Sequence, residues 1–170
     1  MITITVEERA TMSDMITKCK ICYVSMIDIN GLPYVIPMNF GYENEILYFH
    51  SAQEGSSIKA LEIKPDVCVL FCSDPKLAYQ HEEVACSYRM KSSSIICRGR
   101  VVFEEDFDEK VKALDIIMKQ YTNREFTYSR PAIENVKIWK VEIEDITFKI
   151  FGAPNPKSPN YKDNNLTDYY

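Results

Sequence analysis

Residues 31–61 read GLPYVIPMNFGYENEILYFHSAQEGSSIKAL, and the order of turn residues and apolar runs in this stretch sets the architecture. Asn30-Gly31 at its head is the strongest short hairpin signal, because a type I′ turn needs positive φ at both central residues. It joins the run Ile21–Asp28 (ICYVSMID) to a return strand predicted over Leu32–Tyr42. Pro37 has no N–H to give a ladder, so the return strand carries either a bulge or an edge position there. Glu43-Asn44 turns the chain again, and Ile46–His50 (ILYFH) is predicted as a strand, completing an antiparallel meander. Ser56 or Ser57 then offers an N-cap, Ile58 and Leu61 an apolar face, and Pro65 a stop for a short helix.

Upstream, residues 12–18 read as a short helix capped by Thr11 or Ser13. Downstream, Val67–Cys72 (VCVLFC) is continuously apolar, the mark of a strand buried on both faces. Residues 73–92 are polar and irregular, which predicts a long loop with weak pairing. Ser94–Glu104 alternates, with Ile95, Cys97, Gly99, Val101 and Phe103 on one face. Asp106 with Glu109 three residues on resembles a capping box, opening a helix whose apolar face is Val111, Leu114, Met118 and Tyr121. Val136–Ile143 and Ile146–Phe151 read as two last strands, with Trp139 in the first. The expectation is an α+β domain over residues 1–151, followed by a polar C-terminal tail over 152–170. Six or more mostly antiparallel strands with short helices manage their edges best as a closed or partly closed barrel.

A chain of 170 residues is long enough to bury one core without staples. Twenty Lys and Arg against twenty-five Asp and Glu leave a net charge of −5. That argues against non-specific nucleic-acid binding, which rests on phosphate neutralisation. No apolar run reaches the roughly 20 residues of a membrane-spanning helix. The first residues lack the basic start and long apolar stretch of a signal peptide, so a cytoplasmic location is expected. The five glycines are scattered, which excludes both the Rossmann fingerprint and the P-loop, each needing several glycines close together. Six cysteines without an export signal read as reduced thiols; Cys19 and Cys22 have half-zinc-site spacing, but no second pair accompanies them, and no metal site is expected.

Chemistry concentrates between His50 and Leu61. Ser51, Gly55, Ser56 and Ser57 supply hydroxyls and accessible amides around a helix N-terminus, where unsatisfied N–H groups and the helix dipole favour anions. Lys59 adds a full positive charge in the first turn. A phosphate monoester fits this constellation; an ordinary Ser-capped helix with a solvated lysine fits it too. His50 shares a strand face with Ile46 and Tyr48. It is either a hydrogen-bonded structural histidine or a catalytic one. Pro37, Met38, Asn39 and Phe40 form a break whose exposed backbone suits the edge of a heterocycle, or a plain bulge.

Taken together, GLPYVIPMNFGYENEILYFHSAQEGSSIKAL resembles the flavin-binding split-barrel family related to pyridoxamine 5′-phosphate oxidase, and within it the nitroimidazole-reductase branch. The resemblance is carried by Gly31–Pro37, Tyr48–Ala52, Glu54-Gly55 and Lys59, and by Ser94-Ile95-Ile96 with Gly99. It implies a homodimer with FMN at the subunit interface. The phosphate would sit on Ser51, Ser56 and Lys59, while Pro37, Met38, Asn39 and His50 line the ring. Ser94 and Trp139 would reach the cofactor from the neighbouring subunit. The position beside Gly55 that is basic in many relatives is Ser56 here, which places more of the charge compensation on Lys59. The Arg-x-His with which pyridoxamine phosphate oxidases hold substrate is missing from the C-terminal region.

The implied activity is transfer of reducing equivalents from a transiently bound NAD(P)H to a small aromatic acceptor such as a nitroimidazole, with His50 as proton or hydrogen-bond donor. Alternatives are a flavin-binding or sensing module without turnover, and a haem-binding relative using His50 or His81.

Overall fold

The computed structural model describes residues 2–153. In chain order the elements are β1 (Ile2–Val6), α1 (Arg9–Lys18), β2 (Cys22–Ile27), β3 (Pro33–Met38), β4 (Gly41–Glu43), β5 (Ile46–Ala52), α2 (Ser56–Ile63), β6 (Asp66–Cys72), β7 (Lys76–Ala78), a 3₁₀ turn (Ala85–Ser87), β8 (Arg89–Glu104), α3 (Phe107–Lys119), α4 (Arg130–Glu134) and β9 (Val136–Ala153). They form two compact units, one of residues 20–70 with 97–146 and the other of the described residues before 20, within 71–96 and after 146. No helix among the described residues is long and apolar enough to cross a membrane.

In the first unit the strands are hydrogen-bonded in the order β3-β2-β6-β8-β9-β5-β4. β2 is antiparallel to β3 and β6, and β5 to β4 and β9. The β2–β3 hairpin is closed by the Asp28 carboxylate, which accepts the amides of Asn30 and Leu32 at 2.8 Å each. Gly31, at φ +81°, is the turn's left-handed residue, while Asn30 keeps a negative φ, so the hairpin forms at the expected place but not through a two-residue type I′ turn. Pairing then runs without slip from Ile27↔Pro33 to Tyr23↔Pro37 and Cys22↔Met38. Of the two expectations for Pro37 the edge position holds, because β3 ends the strand order.

The return strand is not continuous to Tyr42: β3 stops at Met38 and β4 starts at Gly41. Between them the Phe40 side chain is fully buried, and its amide donates to the Tyr121 hydroxyl at 2.9 Å. That hydroxyl donates in turn to the Lys20 carbonyl at 2.9 Å. Gly41 then lies directly under α3, where a Cβ would come within 2.7 Å of the Ile117 nitrogen.

Several elements differ from the sequence expectation. α1 starts at Arg9 behind Glu8, not behind Thr11 or Ser13; the Thr11 hydroxyl donates to the Glu8 carboxylate instead. α2 has Gly55 at its N-cap rather than a serine. β6 buries Val67, Val69 and Phe71 on one face, while Cys68 and Leu70 are half-buried on the other. α3 is capped by Asp106 as expected, its Oδ1 accepting the amides of Asp108 and Glu109 at 3.0 Å. Its buried stripe, however, is Lys110, Ala113 and Ile117, leaving Val111, Leu114 and Met118 half-buried and Tyr121 beyond the helix end. A lysine occupies a core position because its ammonium reaches the Val136 carbonyl at 3.2 Å and lies 3.6 Å from Glu105. β9 is one strand instead of two. Its polar middle needs no turn, since Arg98 pairs with Asp145 at 2.7 Å and the Ile143 amide donates to the Glu45 carbonyl at 3.1 Å.

The second unit contains α1, with Met12, Met15 and Ile16 buried, together with Phe71, Ile95, Phe148 and Ile150. β1 pairs antiparallel with the end of β9, and β7 with the start of β8. Residues 73–92 are therefore more ordered than the expected loop. No disulfide links the six cysteines: Cys22 is buried in β2, and Cys19 caps α1 with its thiol 3.6 Å from the Cys72 carbonyl oxygen. The expected tail keeps Gly152 and Ala153 within β9, and its residues 154–170 lie outside the described part.

Candidate functional site

β5 delivers His50 and Ser51 to the end of a ladder in which His50 pairs with Ile138 and Ser51 with Lys137. Leu47 and Phe49 point into the core, and Ile46, Tyr48 and His50 share the opposite, half-buried face. The His50 imidazole makes no hydrogen bond to a described residue, and burial holds its pKa below the ordinary 6.5. It is neutral at pH 7, with one nitrogen able to donate and the other to accept.

Ser51 lies on the other face, toward Trp139. Its oxygen accepts from the indole N–H at 3.1 Å, and its hydroxyl donates to the Ala52 carbonyl at 2.9 Å. Trp139 is completely enclosed, with Phe49 and Phe103 rings 6.2 and 6.4 Å from it. Within this chain its one polar atom is bonded to Ser51. Beside Ser51, Lys137 ion-pairs with Glu105 and lies 5.1 Å over the Phe103 ring.

The turn that follows is pinned by Gln53, whose amide donates to the carbonyls of Glu134 at 2.7 Å and Val136 at 2.9 Å. Gly55 then takes φ +153° and ψ 176°, a region open essentially to glycine alone, and nothing lies within 4 Å of where its Cβ would be. The first intrahelical bond of α2 runs from the Lys59 amide to the Gly55 carbonyl at 3.1 Å. The amides of Ser56, Ser57 and Ile58 precede it and carry the positive end of the helix dipole. Ser56 and Lys59 are exposed. The turn offers backbone donors beside an open Gly55, with the exposed Lys59 in the first turn of the helix, and a helix end of this kind suits an anionic oxygen group.

His50, Ser51, Ser56 and Lys59 follow one another along the β5–α2 segment, with His50 and Ser51 on opposite faces of β5, and of the expected site residues Trp139 on β9 contacts Ser51. Pro37, Met38 and Asn39 connect to β5 through β4, whose Gly41 pairs with Tyr48; Pro37 and Asn39 are exposed and Met38 half-buried. Ser94 belongs to the second unit, half-buried on β8 beside the buried Ser93. Two positioning residues escape sequence reasoning. Gln53 sits in a turn with no periodicity to mark it, and Tyr121 holds Phe40 across 81 residues.

Residues 8–150 match the family described as pyridoxamine 5′-phosphate oxidase. None of the curated proteins matches the sequence. Among solved structures, a candidate 5-nitroimidazole antibiotic resistance protein from Bacteroides thetaiotaomicron is 48% identical, with 88% of this chain and 87% of that one covered at a TM-score of 0.82. The FAD and heme binding protein from Mycobacterium smegmatis is 16% identical, covering 89% and 75% at a TM-score of 0.77. The flavocytochrome Anf3 from Azotobacter vinelandii is 18% identical, covering 98% and 92% at 0.75. The last two share the fold. With most of its length matched and its strands in the same mostly antiparallel arrangement, the chain belongs to the pyridoxamine 5′-phosphate oxidase family and has its α+β split-barrel fold.

Proposed function

We propose that this protein is an FMN-dependent oxidoreductase that passes reducing equivalents from NAD(P)H to a small nitroaromatic acceptor, working as a cytoplasmic homodimer with FMN at the subunit interface. The observation that carries the reading is the cradle at Gly55, open above the backbone and followed by the free end of α2 and Lys59. It fits a phosphate monoester, and so a flavin mononucleotide. The 48% identical Bacteroides protein, named for 5-nitroimidazole resistance, points to the acceptor class.

When bound, the flavin supplies the two-electron redox chemistry. The chain's own groups do the rest. The amides of Ser56 and Ser57 and the Lys59 ammonium hold the phosphate. The Ser51 hydroxyl would be a further donor to it, its oxygen accepting from the Trp139 indole. Pro37, Met38 and Asn39 present an exposed edge to the ring, and Ser94 contributes from the partner. The neutral His50 donates its N–H to the acceptor. A second copy would cover the outer face of β3, β2 and β6. There Val35 is 57% and Tyr23 45% exposed, next to Pro33, Pro37 and the half-buried Leu70. An apolar patch of that kind marks an interaction surface.

The test is a visible spectrum and FMN titration of the purified protein, followed by NAD(P)H oxidation with a nitroimidazole. Saturable flavin binding is expected, weakened by about 1.5–3 kcal/mol in Lys59→Ala, the range for a charged hydrogen bond. A preparation that takes up no FMN, or that shows a haem Soret band instead, overturns the reading. Flavin binding without acceptor-dependent turnover would leave a sensing module.

A further inference from the structure

The hairpin of β7 and β8 in the second unit carries an exposed apolar ledge that the proposed flavin chemistry does not use. Leu77 pairs with Met90. Tyr79 and Tyr88, two positions further toward the tip and so on the same face, stack with ring centroids 4.8 Å apart. Leu77 is 62%, Tyr79 51% and Met90 46% exposed, so the row is open to solvent. Ala78 and Arg89 take the opposite, half-buried face. The tip is tied down behind the rings. The Tyr88 hydroxyl donates to the Glu82 carbonyl at 2.7 Å, and Ser87 Oγ donates to the His81 carbonyl at 2.7 Å while accepting the His81 amide at 3.1 Å. Two stacked rings held in this way offer an apolar surface with little left to order on contact.

The chain leaves the sheet at the same place. Gly152 of β9, at φ +72°, lies so close to Met90 that a Cβ would stand 2.3 Å from its carbonyl oxygen. Gly99 meets Glu142 in the same way, so β9 runs opposite to β8 and heads from Met90 toward Tyr88 as it ends at Ala153. The residues that follow read PNPKSPNYKDNNLTDYY, opening with Pro154, Pro156 and Pro159. Pro156-Lys157-Ser158-Pro159 has the PxxP spacing. Such segments form a polyproline II helix at small entropic cost and lay their rings on aromatic surfaces. At about 3.1 Å per residue, Pro156 can reach about 9 Å from Ala153 and Pro159 about 19 Å. The tyrosine pair is about 7 Å along β8 from Met90. A tether this short gives an effective concentration in the millimolar range, enough to populate a weak contact.

We propose that the ledge is the docking surface for residues 156–159 of its own chain, with the rings of Pro156 and Pro159 against Tyr79 and Tyr88. This contact is independent of the flavin reading and stands whether or not FMN binds.

The experiment is NMR spectroscopy of the isotope-labelled full chain. Nuclear Overhauser contacts are expected between the proline rings of 156 and 159 and the rings of Tyr79 and Tyr88, with upfield ring-current shifts of those proline protons. Tyr79→Ser, at an exposed position, should abolish the shifts. Pro156→Ser with Pro159→Ser should move the side-chain signals of Leu77, Tyr79 and Met90 and leave those of the buried Val24 and Leu47 in place. The contacts in the unmodified protein decide the matter even if a variant fails to fold. Random-coil proline shifts without contacts, or upfield shifts that survive in a folded Tyr79→Ser protein, would overturn the proposal. A mixture of labelled and unlabelled chains supplies the last arm: contacts found only between differently labelled chains would give the ledge to a second copy and overturn it as well.

Discussion

His50 and Cys19 illustrate how burial sets the chemistry of single groups. Desolvation lowers the His50 pKa below 6.5, so the unfolded chain binds a proton more readily than the folded one as pH falls past that value. Its contribution to stability is complete above 6.5 and diminishes below it. Titration of the His50 ring by NMR should give a midpoint under 6.5, and a midpoint at or above 6.5 would contradict the burial argument. Cys19 is pushed up to about 11, mostly by burial and secondarily by Cys72 and Asp74 nearby. Thiolate is the reactive form, so iodoacetamide at pH 8 should label the exposed Cys86 well before Cys19, as peptide mass mapping would show. The face shared by Ile46, Tyr48 and His50 was legible in the sequence, because strand alternation is a local property. The contact of Trp139 with Ser51 was not, because it depends on how β5 registers with β9.

At the scale of elements, turns and caps were the readable features. Asn30-Gly31 and Asp106 act through neighbours a few residues away, and both hold their expected places. Long-range anchors left no such mark. The break after Met38 is held by Tyr121, which satisfies the Phe40 amide, and the α3 stripe is displaced because the buried Lys110 finds the Val136 carbonyl and the exposed Glu105 carboxylate. Tyr121→Phe should therefore destabilise the protein by about 1–3 kcal/mol, since a buried amide loses its acceptor. Urea unfolding measures this, and a loss below a few tenths of a kcal/mol would remove the anchor role. Gly55→Val forces a β-branched residue to φ +153° in open space. It should cost about 1–3 kcal/mol as backbone strain or a local rearrangement, and weaken FMN uptake more than it slows turnover of the flavin-loaded fraction.

For the whole molecule, the mostly antiparallel class followed from alternation and turn spacing. The single length of β9 did not, because its charged middle resembles a turn until Arg98 supplies a partner for Asp145. Two ion pairs of the first unit contribute to its behaviour in acid. Lys140 holds Glu104 below its ordinary 4.5, through a hydrogen bond at 2.9 Å. Hydrogen bonding from Lys137 does the same for Glu105. A carboxylate of lowered pKa stabilises fully above its unfolded value and ceases to do so as acid protonates it. Thermal midpoints should thus fall below pH 4.5, and Glu104→Gln should flatten that decline. If the proposed dimer forms through the outer face of β3, Val35→Lys should shift it to the monomer in light scattering and weaken FMN uptake with it. A wild type that is already monomeric would remove the proposed dimer, and a dimer unchanged by the substitution would remove this face as its contact.

The edge strand β3 has one more consequence. Pro33, Val35 and Pro37 follow one another at every second position and pair with Ile27, Ser25 and Tyr23. Prolines fit such a ladder only where the amide position faces away from the neighbouring strand. The free rim of β3 therefore offers Val35 as its sole N–H from these three residues. An incoming strand would find two of these three donors missing, which disfavours pairing along this rim. The prolines leave the face of β3 available for contact while discouraging growth by strand addition at its edge.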